Sequence, residues 1–416
     1  MNWDDTPAEA AFRTEVRQFI KDSFPAAYSP DVHAEQGLEP EDVRGYDWPA
    51  DRDCADRARA AGAREWAAAL AARGWIASRW PVEYGGAALP VAAEFVLNEE
   101  LVRAKVPTVN SLGVSLLGPT LLRHGTAAQK ATHLPPIARG ERTWAQGFSE
   151  PDAGSDLAGL RTRAVRDGTY YVVNGRKVWT SLGQHADWLF ILVRTGTDPA
   201  EPRHRGLTYL LVDARSEGVT VRPIKDMRGA EPFSEILFED VRVPVADRVG
   251  EENRGWYVAM DTLSFERAAI STAVKLEQAL TGLVDYVNSE SGAGRLHEGW
   301  GSGIRAEVAR RYTEVRVLYN VARYTVSRQA AGSVPGYEAS VNQLFGAELH
   351  QRLAKTGARV FGQHSLMWRG DKASGAPLDG EFTHRQFDAV AATFLGGTSE
   401  IQRGIIATRG LGLPRA

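Results

Sequence analysis

Two polar, glycine-containing stretches resist explanation as core packing. They are Phe148-Ser-Glu-Pro-Asp-Ala-Gly-Ser-Asp156 and, far downstream, Phe394-Leu-Gly-Gly-Thr-Ser-Glu-Ile-Gln-Arg403. The first brings acids, two serines, a proline and Gly154 within eight residues of one another. Such a run presents backbone N–H groups and hydroxyls at a turn, which suits an anionic or heteroaromatic ligand. A third candidate is the carboxylate of Glu266 in Ser264-Phe-Glu-Arg267. At 100° per residue Glu266 shares a helix face with Ala259, Thr262, Leu263, Ile270 and Ala273. A carboxylate on a mostly apolar stripe needs a role or a partner. It is a general base with a raised pKa, a buried ion pair, or a residue on a wetter edge of the helix. Cys54 stands in Asp51-Arg-Asp-Cys-Ala-Asp-Arg57 with no nearby histidine, a poor context for an activated thiol.

The elements that must position these residues change character twice. Thr6, Pro7 and Glu9 form a capping-box start, and Phe12, Val16, Phe19 and Ile20 then recur at helical spacing. Residues 26–52 read as a loop, and helices follow at 55–72, 92–103 and 112–124. From Arg142 the pattern becomes β-rich. Thr169–Thr180 reads as a hairpin with Asn174-Gly175 as its type I′ turn, and strands follow at 188–193, 207–212, 219–224 and 235–238. Helical periodicity returns at Gly255, with a Gly/Ser-rich break at 289–303, long helices at 304–331 and 336–361, and a last helix containing 399–409. The expectation is an α+β chain of three domains: helical over 1–140, an antiparallel β-barrel domain over 141–248, and helical again over 249–416. Strands grouped in the middle disfavour a doubly wound fold, and no Gly-x-Gly-x-x-Gly follows a strand.

A length of 416 residues supports two or three packed domains. A net charge of -3 argues against a nucleic-acid partner, which needs a surplus of cations. The lone cysteine rules out an internal disulfide. No run approaches the roughly 18 apolar residues of a membrane span. The acidic start Met1–Pro7 lacks an apolar signal region, so a cytoplasmic protein is expected. The nine histidines show no metal-ligand spacing, and no metal is expected.

Four landmarks, in order, resemble the flavin-dependent acyl-CoA dehydrogenase family over most of the chain: Pro81-Val-Glu-Tyr-Gly-Gly86, Gln146–Ser155, Trp179-Thr-Ser181 and Gly397-Thr-Ser-Glu-Ile-Gln-Arg403. The resemblance implies an N-terminal helical domain, a middle β domain and a C-terminal four-helix bundle. It implies FAD, with Phe148, Ser149, Trp179 and Ser181 around the isoalloxazine, Ser181 near N5, and Gln146, Gly154 and Ser155 in the first cofactor-contact loop. Ser155 also reaches substrate, and Thr398, Ser399 and Glu400 reach FAD from the C-terminal segment. The implied reaction is α,β-dehydrogenation of an acyl-CoA or acyl-carrier-protein thioester, with proton abstraction by a carboxylate and hydride transfer to flavin N5. Electrons then pass to an electron-transfer flavoprotein.

Many members place the base just before Gly-Thr-Ser, where this chain has Gly396; a second arrangement places it at the position of Glu266, with Arg267 organising the site. The usual arginine and glutamine for the FAD pyrophosphate have no clean match, and Arg295 is a stand-in. The ending resembles the bacterial branch acting on bulky substrates such as steroid side-chain thioesters, as a homotetramer, a dimer or a heteromer. Two alternatives keep the fold: an oxygen-using flavoenzyme of the N-hydroxylase or nitroalkane-oxidase type, and a non-catalytic subunit of a heteromeric dehydrogenase.

Overall fold

The computed structural model describes residues 4–28, 47–196, 198, 200–265, 270–293, 302–332, 336–368 and 375–414. Helix α1 (Pro7–Ser23) starts at the expected capping box: Thr6 accepts from the Glu9 amide, and Glu9 reaches back to the Thr6 amide. Its buried stripe of Val16, Phe19 and Ile20 meets α2 (Arg57–Ala72) and the following loop, with Phe19 against the rings of Trp66 and Trp75. Helix α3 (Val91–Arg103) lies on α1. A single turn at Trp48–Asp51 occupies part of the stretch read as loop. Trp48 is buried there and donates its indole N–H to the Ala63 carbonyl. The helix expected at 112–124 opens with a π-helical turn at Gly113–Leu117 and continues as α4 (Gly118–His124). Helix α5 (Ala127–Ala138) was not anticipated. Thr126 and Gln129 cap it, and Pro135 and Pro136 sit inside it.

The middle of the chain forms a sheet of eight strands among the described residues: β1 (Trp144–Gly147), β2 (Arg163–Asp167), β3 (Tyr170–Ser181), β4 (Trp188–Arg194), β5 (Leu207–Asp213), β6 (Val219–Ile224), β7 (Phe233–Pro244) and β8 (Arg248–Val249). The path is β6-β7-β3-β2-β4-β5-β8, with β1 beside β4. Most pairings are antiparallel, as expected; β1 and β2 meet β4 in parallel. Strand β4 is buried on both faces. Phe190 and Leu192 join a core shared with α4, α5 and the helix after β8, while Leu189, Ile191 and Val193 join a core inside the β domain with Tyr171, Val173 and Phe238.

The expected turn at Asn174-Gly175 is corrected by the structure. Strand β3 runs straight through it as a β-bulge, with the β7 register shifting between Val173 and Gly175. The hairpin turns instead at Gly168-Thr169, where Gly168 has φ +59° and Asp167 pairs with Tyr170. Gly175 is required because a Cβ there would stand 2.6 Å from Thr162 Oγ1.

Helices α6 (Gly255–Phe265), α7 (Ile270–Asn288), α8 (Ser302–Ala330), α9 (Glu338–Phe361), α10 (Glu381–Ala392) and α11 (Ser399–Ile405) complete the chain. Helices α7, α8, α9 and α10 pack as a bundle around Ile270, Ala273, Leu280, Leu318, Leu353 and Phe382, and Phe95 of α3 enters the same core. The architecture is helical, β and helical, the α+β arrangement expected. None of the described helices is long and apolar enough to cross a membrane.

Candidate active site

The end of β1, the loop after it and the second half of β3 come together as one unit. Gln146 pairs in register with Phe190 of β4. Its amide Nε2 is buried and meets no hydrogen-bond partner among the described residues. The ring of Phe148 points into the core, edge-on to Phe190 and Tyr209 at 5.9 and 5.8 Å, so only its backbone faces the loop. The Ser149 carbonyl accepts from the Val178 amide at 3.0 Å and ties the loop to β3. Glu150 and Ala153 exchange backbone hydrogen bonds at 3.0 Å in both directions, a tight turn around Pro151-Asp152. Gly154 and Ser155 lie exposed just beyond it. A Cβ on Gly154 would meet no described atom within 4 Å, so open space stands above this glycine.

Strand β3 breaks register again between Lys177 and Thr180. Trp179 sits in that break with φ +60°, a left-handed conformation that costs a bulky residue of order 1–3 kcal/mol and persists only where the surroundings impose it. Its indole is 57% exposed and stands edge-on to Phe233 at 6.0 Å. Thr180, beside it, is fully buried, with a hydroxyl that meets no partner among the described residues. Ser181 pairs with Phe233 of β7.

The C-terminal candidates form a separate group. Gly396 and Gly397 take φ values of +63° and +93°, and the Gln402 side chain donates to the Gly396 carbonyl at 2.9 Å. Thr398 caps α11 by accepting from the Ile401 amide at 3.2 Å. Glu400 is exposed, and its own backbone amide and Thr398 hold its carboxyl below the ordinary range. Thr398, Ser399, Glu400 and Arg403 line a cleft of about 480 Å³ with Arg352 and Lys355 of α9. Among the described residues, none of the β domain lines it. The Ser399 hydroxyl is buried and unpartnered among the described residues. Within one chain the structure therefore gathers Gln146–Ser155 with Trp179–Ser181, and Thr398 with Glu400, as two sites.

Glu266, Arg267 and Arg295 lie outside the described residues. On either side of the first two, Ala259, Thr262, Ile270 and Ala273 are all buried. The left-handed φ at Gly396 favours glycine at the alternative position for a base.

Two participants escaped the sequence reading. Glu150 looks like a solvated turn acid, yet it is buried and ion-paired at 2.8 Å with Lys177, whose side chain is wholly buried. The available signal was Lys177 itself, a lone cation among the inward-facing positions of β3.

The first group fits a flavin ring. The orphaned Gln146 amide and Thr180 hydroxyl are groups that need partners, the Trp179 indole is a flat wall, and Gly154 leaves room. The second group, with its cations and the orphaned Ser399 hydroxyl, suits phosphates and ribose.

Comparison with known proteins identifies the family. Residues 48–141, 145–241 and 253–411 match the N-terminal, middle and C-terminal domain models of acyl-CoA dehydrogenase. Acyl-CoA dehydrogenase FadE26 of Mycobacterium tuberculosis is 37% identical over 358 residues, 85% of this chain and 88% of that one. The solved Tcur3481-Tcur3483 steroid ACAD superposes with a TM-score of 0.81 at 30% identity, covering 100% of both chains. The ChsE4-ChsE5 complex from Mycobacterium tuberculosis does so with 0.81 at 33% identity, again over 100% of both. The chain belongs to the acyl-CoA dehydrogenase family of FAD-dependent oxidoreductases.

Proposed function

We propose that this enzyme dehydrogenates the α,β bond of a bulky acyl-CoA thioester, of the steroid side-chain class, with Glu266 as the base. The observation that carries the reading is the cluster of unpaired Gln146 amide, open space over Gly154 and exposed, strained Trp179. The steroid class is supported by the likeness, over the whole chain, to a solved steroid ACAD.

The thioester acidifies the α C–H, and the Glu266 carboxylate takes that proton. Of the residues that the sequence pattern places on the same face as Glu266, Ala259, Thr262, Ile270 and Ala273 are buried, which supports this position for a base. FAD, when bound, would supply the acceptor for the β hydrogen as hydride. Gln146, Ser181 and the backbone at Phe148 and Ser149 would hold the ring, with Trp179 as its wall. Gly154 and Ser155 admit the thioester beside it. Arg267 orients the base, and Thr398 and Glu400 hold the far end of the cofactor. An electron-transfer flavoprotein would serve as the electron acceptor. The likeness to the Tcur3481-Tcur3483 steroid ACAD and to the ChsE4-ChsE5 complex supports an oligomer, with this chain as a subunit that carries a base.

Anaerobic titration of the holoenzyme with a panel of CoA thioesters tests the reading, with Glu266→Gln beside it. The expected result is substrate-dependent bleaching of the flavin band, slowed by at least about 100-fold in the variant with FAD retained. Bleaching that survives Glu266→Gln removes the base assignment. No bleaching with any thioester, despite bound FAD, removes the reaction.

A further inference from the structure

We infer that Lys177 and Glu150 are positioning residues for the flavin pocket, a buried ionic staple that fixes the loop after β1 and the Trp179 bulge relative to one another. The inference rests on the location of the flavin site proposed above.

The Lys177 ammonium donates to the Glu150 carboxylate at 2.8 Å and to the Phe148 carbonyl at 3.1 Å. The same carboxylate accepts from the Arg161 amide at 2.6 Å and the Thr162 amide at 2.8 Å. Glu150 thus grips both ends of the 150–162 loop, the one carrying Gly154 and Ser155. Arg194 grips its middle, donating to the Ala158 carbonyl at 2.7 Å and the Leu160 carbonyl at 3.1 Å. On the other side, Lys177 is the last residue of β3 in register with β7 before the shift that carries Trp179. One ammonium therefore joins the loop and the bulge.

The lysine stem runs beside Gly147, where an added Cβ would meet Lys177 Cγ at an ordinary contact distance of 3.5 Å but would crowd Ile191 Cγ2 at 2.9 Å. Burial draws Lys177 down to about 8. Glu150 is also desolvated, but Lys177 and the two loop amides hold it below the ordinary carboxylate range. A buried pair is weak evidence for stability, because well-packed apolar residues often serve the fold as well. Its directional hydrogen bonds to the Phe148 carbonyl and the two loop amides are what apolar residues cannot reproduce.

The experiment compares Lys177→Met, Glu150→Gln and the double variant as purified holoenzymes. It reads the rate of FAD release, the shape of the visible flavin band, and the Tm of the FAD-free protein. Lys177→Met is expected to release FAD on the order of tenfold faster, with an altered band. The double variant is expected to recover Tm relative to Lys177→Met, because no carboxylate is left buried without its cation, while FAD release stays fast. The inference is overturned if release rates simply follow Tm across the three variants, or if folded Lys177→Met releases FAD as wild type does. Should Lys177→Met fail to fold, the double variant alone decides between recovered and fast release. Trp179→Ala separates two kinds of failure. An unchanged band there withdraws the flavin location itself; a changed band beside an unaffected Lys177→Met withdraws only the staple.

Discussion

Replacing Arg13 by methionine will loosen the N-terminal helix by an amount the structure sets. Arg13 donates to Asp5 at 2.7 and 3.0 Å, to Glu99 at 2.9 Å and to Glu100 at 2.5 Å. The Arg13 side chain is 14% exposed, and those of Glu99 and Glu100 only 3% and 4%. Breaking a buried pair from one side costs roughly 3–5 kcal/mol, because a charge is left without its partner. Arg17 still serves Glu100, and Arg103 and Tyr319 still serve Glu99, which puts the loss near the lower end. At about 2.1 cal/mol/K per residue the whole chain unfolds with about 0.9 kcal/mol/K, so about 3 kcal/mol lowers Tm by about 3 °C.

The pH dependence has a definite sign. Burial alone would raise the Glu99 carboxyl, but Tyr319, Arg13 and Arg103 together hold it below its ordinary 4.5. A depressed carboxylate stabilises the fold above its unfolded value and loses that contribution as pH falls through its folded value. The gap between wild type and variant is therefore full at pH 7 and narrows below about pH 4.5. Calorimetry at pH 7 and pH 4 reads it. Arg139→Met is the control, since the Arg139–Glu141 pair is exposed and should matter little. A gap that matches the control, or one that widens in acid, would refute the reasoning.

Gly118→Ala places a Cβ 1.7 Å from Cζ2 of buried Trp80, so circular-dichroism melts should show a loss of roughly 1–3 kcal/mol or more. Gly154→Ala meets no described atom, so the FAD-free protein should melt unchanged while FAD or substrate titrations weaken; unchanged affinity would count against the site. His133 is buried and neutral, drawn down to about 4 by desolvation and then by Arg142. Because its folded value lies below the ordinary 6.5, the unfolded chain binds the proton first, and stability falls as pH drops from about 6.5 toward 4. By pH 5 that term reaches about 2 kcal/mol, and urea titrations of His133→Phe should lose this slope between pH 7 and 5. Equal slopes in both proteins would sink the assignment.

The elements that could be read from the chain are those whose signals are local. The Thr6–Glu9 capping box starts α1 as its residue types require. Asn174-Gly175 misled for the same reason in reverse: the dipeptide favours a turn, but ladder pairing with β7 and the close approach of Thr162 select a bulge. Helix α5 was hidden by Pro135 and Pro136. They remove two donors, yet their carbonyls still accept from Arg139 and Glu141, which close the helix end. In the site, Gln146 and Gly154 were singled out by one local motif, Gln146–Ser155, and Trp179 by another, Trp179-Thr-Ser181. The Lys177–Glu150 pair was not, because its partners are 27 residues apart and only the folded register of β3 turns Lys177 inward. The inward ring of Phe148 depends likewise on Phe190 and Tyr209.

One core draws Leu134 and Ile137 of α5, Phe190 of β4, Tyr209 of β5 and Val258 of α6 into a single cluster. This has a consequence for biosynthesis. A nascent chain that has released residue 140 still lacks the strands and the helix that cover α5. Synthesis at about 5–20 residues per second delivers Val258 about 6–24 s later. For that interval the apolar flank of α4 and α5 is bare, an opening for chaperone engagement or for aggregation between neighbouring nascent chains. Codon changes that slow translation between residues 140 and 260 should therefore reduce the yield of active protein more than equal changes after 300.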